Sequence, residues 1–153
     1  MIESYWDLVD PYWEEISIYH GPERLDSDLT KAPKHVQVLF CVHWHNSEVC
    51  NGGFEQFFYN STGVLAPQAV AGYRVLGRPD LADMLESTMK LLGKEYPRDR
   101  DLRAKKLRKW GMSRKLLKID DKYFDVYEAD VHAGPLYECM DEYARREEAA
   151  YRA

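Results

Sequence analysis

Residues 51–63, with the sequence NGGFEQFFYNSTG, carry the strongest structural signal in the chain. Two adjacent glycines, Gly52 and Gly53, follow a long apolar run. Glycine has no Cβ and readily adopts positive φ angles, so this pair can end one helix and turn the chain sharply. Asn51 suits the same turn, because asparagine tolerates left-handed geometry and its amide can bond nearby backbone groups. The last four residues, ending at Gly63, are typical of a second turn.

A short aromatic helix is predicted between these two turns. Phe54, Phe57 and Phe58 are spaced i, i+3 and i+4 and therefore share one helix face. Burial of each ring should contribute roughly 1.5–3 kcal/mol to folding. The amides of Gln56 and Asn60 lie beside the rings. Because buried amides need hydrogen-bond partners, we expect them to hold loop backbone in place.

The same residues resemble the signature of a known family. The order Asn51-Gly52-Gly53-Phe54, then Gln56-Phe57-Phe58, Asn60 and Gly63, is similar to that of domain of unknown function 4375, a family that includes a bacterial DNA-mimic protein. The resemblance extends from about Asp10 to the C-terminal helix, and it implies an all-helical fold. It implies no shared activity. The DNA-mimic role belongs to particular acidic members and is therefore only a suggestion for this chain.

Length and composition favour one helical domain over residues 1–153, long enough for a hydrophobic core. No apolar run reaches the roughly 18 residues that a membrane helix needs. The acidic N-terminus also lacks the basic start of a signal peptide. Cys41, Cys50 and Cys139 form an odd, scattered set, which we expect to be reduced thiols in the core of a cytoplasmic protein. We expect no cofactor.

Charge is distributed unevenly along the chain. The formal net charge is −5 and the sequence pI is near 5.5. Residues 1–28 carry eight acidic side chains and one basic one, and residues 120–148 carry ten acidic and three basic. Residues 98–118 carry ten basic side chains and two acidic ones. We therefore expect a bipolar molecule, a property that concerns its partners more than its fold.

Hydrophobic spacing predicts an all-α fold of about seven helices, without the alternation typical of strands. The first predicted helix covers residues 10–20, and a polar connector with one helical turn follows over residues 22–32. The longest helix covers residues 33–50. Its apolar residues occupy so many sides that it should be central.

The later helices are predicted from their terminal residues and apolar spacing. Proline near the start and glycine after the end mark two of them, which end at Gly77 and Gly93. Residues 98–109 are predicted to form an exposed, charged helix anchored by Leu102 and Leu107. Asp120 or Asp121 should cap a short helix, and Gly134-Pro135 should open the last one, in which Tyr151 is a candidate core residue.

Two chemical sites remain open alternatives. Cys41, His45 and Glu48 would share a helix face and could supply three zinc ligands, but a fourth ligand is not evident. His45, Glu48, Glu55 and Tyr59 could instead form an enzyme site around the glycine turn, with the histidine as general base. No nucleophile, phosphate-loop or metalloprotease motif accompanies them, so we favour a non-enzymatic role with no catalytic residue or metal ligand.

The basic stretch of residues 98–118 could bind nucleic acid through phosphates, with Trp110 nearby. The overall pI makes this the weaker interpretation, because the rest of the surface repels phosphate. The acidic segments could instead present carboxylates in place of DNA phosphates to a basic protein.

The hypothesis that we favour is a cytoplasmic protein-interaction domain, with DNA-mimic-like binding of a basic regulator as its most specific form. The candidate binding residues are Asp7, Asp10, Glu14 and Glu15. The aromatic residues interleaved with them would anchor the partner; these are Tyr5, Trp6, Tyr12 and Trp13.

Overall fold

The computed structural model describes residues 1–127 and 135–153, and these residues form eight α-helices and no β-strand. The helices are α1 (Trp6–Val9), α2 (Pro22–Leu29), α3 (Lys34–Tyr59), α4 (Ala66–Val75), α5 (Pro79–Lys90), α6 (Arg100–Leu107), α7 (Met112–Tyr127) and α8 (Leu136–Arg152). Single 3₁₀ segments cover Asp10–Tyr12 and Ser61–Leu65. The predicted all-α fold is confirmed, with eight helices in the described part where the spacing predicted about seven.

The long helix α3 is the central element, and it contacts α1, α4, α6, α7 and α8. Its buried apolar residues lie on several of its sides; they include Val36, Leu39, Phe40, Val42 and Val49. A helix that is apolar on several sides must be covered on several sides, which is why the others pack around it. Cys41 and Cys139 are buried, whereas Cys50 is exposed and lies outside the core in which it was predicted. None of the three forms a disulfide with another cysteine of the described residues.

The structure of the N-terminal segment, residues 1–28, differs from the prediction. We expected one helix over residues 10–20, but a single 3₁₀ turn covers Asp10–Tyr12 and residues 13–21 are not helical. Ile16 and Ile18 are both buried. Residues two apart point about 200° apart on a helix, so a continuous helix would not allow both to face the core.

The predicted connector over residues 22–32 contains the complete helix α2. Gly21 precedes it with a φ of 85°, and Pro22 occupies the first helical turn. Proline has no N–H to donate and a φ already suited to a helix, so it begins this helix instead of ending the previous one.

Helix α7 runs without interruption, where a short helix capped by Asp120 or Asp121 was predicted. The Asp120 carboxylate accepts a hydrogen bond from the backbone N–H of Phe54, 2.8 Å away, instead of capping its own helix. An acidic residue followed by an apolar run is therefore ambiguous, because its side chain can satisfy the backbone of a distant helix equally well.

Two predicted apolar anchors are exposed: Leu102 is 49% exposed and Tyr151 is 69% exposed. Leu107 is buried as predicted, and the other buried side chain of α6 is that of Arg103. Gly134, which was predicted to open the last helix, lies outside the described residues. Within residues 1–127 and 135–153, no helix combines the length and the apolar character needed to span a membrane.

Candidate functional site

The glycine turn interrupts α3 at the predicted position. Gly52 has φ −152° and ψ 20°, and Gly53 has φ 75° and ψ −177°, both outside helical geometry. The helix resumes at Phe54, whose N–H is held by Asp120 of α7. A Cβ at Gly53 would lie 2.3 Å from the Asp120 Oδ2 atom, so only glycine fits. Burial raises the pKa of Asp120, although its bond to the Phe54 N–H opposes the change.

The Glu48 carboxylate is the common hydrogen-bond acceptor of the polar side chains that surround the turn. It accepts hydrogen bonds from Gln56 Nε2 at 2.6 Å, Asn60 Nδ2 at 3.1 Å and Thr62 Oγ1 at 3.1 Å. Asn51 Nδ2 donates to Gln56 Oε1 at 3.2 Å. The amides of Gln56 and Asn60 were expected to hold loop backbone, but both donate to the Glu48 carboxylate. Glu48 thus belongs to this network, although the sequence motif does not include it.

Arg103, which the sequence analysis did not single out, supports the turn from α6. Its guanidinium is fully buried and donates to the backbone carbonyls of Phe58 at 2.8 Å and Asn60 at 3.0 Å. It also donates to the carbonyl of Arg98. A Cβ at Gly63 would lie 2.6 Å from Arg103 Nε, so the last glycine of the motif leaves room for this side chain.

His45 lies in the core, enclosed edge-on by aromatic rings; these are Phe54, Phe57, Tyr73 and Tyr123. Its Nδ1 is 2.7 Å from the Tyr73 hydroxyl, which lies 3.1 Å from the Tyr123 hydroxyl. Tyr123 in turn donates to Asn46 Oδ1 at 2.6 Å. His45 Nε2 has no hydrogen-bond partner among the described residues. Burial lowers the pKa of His45 to about 3 and therefore keeps it neutral at pH 7.

The four candidates for an enzyme site are not brought together. His45 is fully buried and Glu48 is engaged by the network around the turn, whereas Glu55 and Tyr59 are exposed and line a separate groove. The arrangement thus offers no support for the enzyme hypothesis. For zinc, the described parts of the chain contain no group of three or more histidine, cysteine or acidic side chains that could hold a metal ion.

Alanine at Gly53 should destabilise the fold much more than alanine at Gly77. Both glycines have positive φ angles, 75° and 73°, so alanine costs about 1–2 kcal/mol of backbone free energy at either position. The cost at Gly53 is the larger, because its ψ of −177° lies in a region that essentially only glycine adopts. No atom of the described residues lies within 4 Å of a Cβ at Gly77, whereas a Cβ at Gly53 displaces Asp120 and breaks its bond to Phe54. Loss of that bond should add about 1–3 kcal/mol for Gly53→Ala. Urea unfolding of both variants measures the difference, and equal losses would contradict both the larger backbone strain at Gly53 and the contribution of Asp120.

Acidic pH should destabilise the protein through buried histidines. Burial lowers the pKa of His43 from 6.5 to about 4. Between these pH values the unfolded chain takes up a proton that the folded protein excludes, so stability decreases as pH falls from about 6.5 to about 4. Each such histidine contributes a slope of at most about 1.4 kcal/mol per pH unit. Urea midpoints across this range should fall less steeply for His43→Asn, whose amide can still bond Tyr5. Equal slopes would show that His43 protonates in the folded protein.

The four carboxylates predicted as binding residues are all exposed on the N-terminal segment: Asp7, Asp10, Glu14 and Glu15. Among the residues that the structure describes, none of the four forms an ion pair. Asp7 additionally accepts a hydrogen bond from the backbone N–H of Glu3 at 2.8 Å, which fixes its side chain over the start of α1. The charges of this segment are therefore available at the surface.

Two other acidic residues of the segment are neutralised within the protein. Asp26 pairs with Arg98 at 2.7 Å. The side chain of Asp28 is buried and pairs with Lys31 at 2.7 Å and Arg24 at 2.8 Å. Hydrogen bonds from Lys31 and Arg24 hold the pKa of Asp28 well below its usual range. The formal charge of residues 1–28 therefore overstates the negative charge that a partner could meet.

The aromatic residues of the segment pack against α3. Trp13 stacks on Trp44 with ring centroids 4.6 Å apart, and Trp6 lies 4.9 Å from both Trp13 and His43. The Tyr5 hydroxyl is 2.8 Å from His43 Nδ1, and its ring is buried. These rings were expected to anchor a partner, but their observed contacts fasten the segment to its own protein.

The geometry defines an all-α protein built on a kinked central helix, with its glycine turn held by α6 and α7. A family model described as DMP19-like protein matches residues 30–147, and the chain belongs to this family. No curated protein and no solved structure matches the chain significantly. The matched residues contain the whole glycine motif. They exclude Asp7, Asp10, Glu14 and Glu15, so the match carries no information about these four residues.

Proposed function

We propose that this protein is a non-enzymatic binder of a basic protein, and that the exposed carboxylates of its N-terminal segment take the place of DNA phosphates. Membership of the DMP19-like family, a DNA-mimic-like family, supports the general role. The observation that carries the proposal is the exposure of Asp7, Asp10, Glu14 and Glu15 without ion-pair partners in the described part of the chain. A DNA-binding regulator has the positive surface that such a segment would attract.

The anchoring of the segment supports a mimic, because carboxylates that replace phosphates need defined positions. The backbone N–H of Tyr5 donates to Asp141 of α8 at 2.8 Å. Trp13 is stacked between α1 and α3, since it contacts both Trp6 and Trp44. A partner that meets these carboxylates therefore loses little free energy in ordering them.

The glycine motif has a structural role in this proposal. Phe54, Phe57 and Phe58 are all 0% exposed, and they cannot contact a partner while the core is intact. We infer that the motif stabilises the bend of α3 and so maintains the surface on which the segment lies. Substitution of a binding residue should then change the affinity for the partner, whereas substitution of a motif residue should change the stability of the fold.

The proposal predicts salt-sensitive capture of a basic protein in competition with DNA. A pull-down from the native cytoplasm would identify the partner, and binding would then be measured with the purified pair. Asp10→Lys, Glu14→Lys and Glu15→Lys together should weaken binding at least tenfold by removing three negative charges and adding three positive ones. Affinity should also fall steeply with salt, since the Debye length decreases from about 10 Å at 0.1 M to about 3 Å at 1 M.

The control reverses two carboxylates that are also exposed but lie on α7, in the variant Asp121→Lys and Asp125→Lys. Reversal of the charges of Lys105 and Lys106 on α6 tests in the same way whether the basic residues 98–118 contribute to binding. Binding that survives the N-terminal reversals but is lost with either of these pairs would overturn the proposal. Failure of DNA to compete with the captured protein would exclude mimicry, even if the N-terminal reversals weaken binding.

A further inference from the structure

A basic groove of about 700 Å³ lies where the end of α6 meets the start of α7, and the last turns of α3 form its remaining wall. Its lining includes five cationic side chains, those of Arg108, Lys109, Arg114, Lys115 and Lys118. Among the described residues of the lining, Glu55 is the single acidic one, and it accepts a hydrogen bond from Ser113 Oγ at 2.9 Å. Five of the basic side chains of residues 98–118 thus surround one concave surface.

Two exposed aromatic side chains line the same groove. Trp110 is 98% exposed and Tyr59 is 53% exposed. The Arg100 guanidinium lies 5.5 Å from the centroid of the Tyr59 ring. A nearly fully exposed tryptophan contributes little to the stability of the folded chain, because its apolar surface stays in water. The Trp110 ring, and the face of the Tyr59 ring that Arg100 does not cover, are therefore available to a flat, apolar ligand surface.

We propose that this groove binds single-stranded nucleic acid, with phosphates on its cations and bases stacked on Trp110 and Tyr59. Proteins that bind single strands without sequence preference combine a positive groove with aromatic stacking platforms, and every base has a face that can stack. A duplex already stacks its bases on each other, so it could use only the cations. An acidic peptide would likewise satisfy the cations, but it has no regular flat groups to cover two exposed rings.

The overall negative charge does not oppose binding at this place. The acidic N-terminal segment packs on Trp44 and His43, in the first half of α3, whereas the groove uses Glu55 and Tyr59 near its end. At physiological salt, charges separated by more than about 8 Å are largely screened from each other. The local field of the five groove cations therefore dominates what a phosphate meets there. The nucleic-acid site and the proposed protein-binding segment are separate surfaces.

Fluorescence anisotropy with a labelled oligothymidylate tests the proposal directly. We expect Trp110→Ala to weaken binding roughly tenfold or more, because stacking on one ring is lost while the charge is unchanged. Lys109→Glu and Arg114→Glu should each weaken binding and reduce the salt dependence by about one released counterion or more. All three side chains are exposed, so the variants should unfold at the same temperature as the original protein.

Matched controls lie outside the groove. Tyr151→Ala removes another exposed aromatic ring, and Lys90→Glu reverses another exposed cation. Both should leave oligothymidylate binding unchanged, as should Asp10→Lys and Glu14→Lys, which separate this proposal from the protein-binding one. The proposal is overturned if oligothymidylate does not bind at low salt, or if the controls weaken binding as much as Trp110→Ala. Equal affinity for a duplex, for polyglutamate or for thymidine monophosphate would also overturn it.

Discussion

Replacement of Phe57 by alanine should lower the free energy of unfolding by about 3–5 kcal/mol. The ring is 0% exposed and lies 4.7 Å from the His45 ring and 5.4 Å from the Phe58 ring, centroid to centroid. Its removal leaves a cavity at the point where α3 bends, and the tightly held turn limits how far the chain can collapse into it. Such a loss is a large share of the 5–15 kcal/mol that is typical of a whole domain.

Tyr59→Ala is the matched control for Phe57→Ala, because it removes a ring of similar size two residues later in the same helix. Tyr59 is 53% exposed, so its loss should cost less than about 1 kcal/mol. Urea unfolding of both variants measures the two effects under the same conditions. Near-wild-type stability of Phe57→Ala would show that the motif is retained for a surface task instead of for the fold.

Arg103→Met should also destabilise the protein by about 3–5 kcal/mol, from several buried carbonyls at about 1–3 kcal/mol each. Methionine fills much of the same space but cannot donate, so the carbonyls of Phe58, Asn60 and Arg98 would lose a hydrogen-bond partner inside the protein. Arg103→Lys should not restore stability, because an ammonium group cannot reproduce the fork of donors with which a guanidinium reaches several carbonyls at once.

Arg108→Met controls for the loss of a positive charge, since Arg108 is exposed at the end of the same helix. We expect its stability to remain within about 0.5 kcal/mol of the original protein. Chemical denaturation of the three arginine variants gives the comparison. A loss below 1 kcal/mol for Arg103→Met would mean that water replaces the guanidinium at these carbonyls.

Sequence reasoning succeeded where a residue type has a single strong physical consequence. The pair Gly52-Gly53 predicted the bend in α3, and the spacing of the three phenylalanines predicted a buried face after it. It failed over residues 10–20, where apolar residues compatible with a helix belong to a non-helical segment. Periodicity cannot detect such a segment, because Ile16 and Ile18 face the core only in the context of the packed helices.

The positions and partners of two charged side chains were also predicted incorrectly. Arg103 was counted with the exposed basic residues of its helix, yet its guanidinium is buried against backbone carbonyls. Asp120 was taken as a helix cap, yet it binds the N–H of Phe54 in another helix. A charged side chain is usually exposed, so composition alone assigns it to the surface. Which unsatisfied backbone group it meets depends on elements that are distant in sequence.

The helical fold, the central helix and its glycine bend can be predicted from sequence, since they depend on local conformational preferences and on apolar periodicity. The sequence also shows that Asp10, Glu14 and Glu15 form part of an acidic segment. Which of these charges are available to a partner depends on packing, because Asp26 and Asp28 are neutralised by ion pairs that form in the folded chain. The position of five cations and Trp110 around one groove likewise depends on packing, because three helices must pack before their side chains can meet.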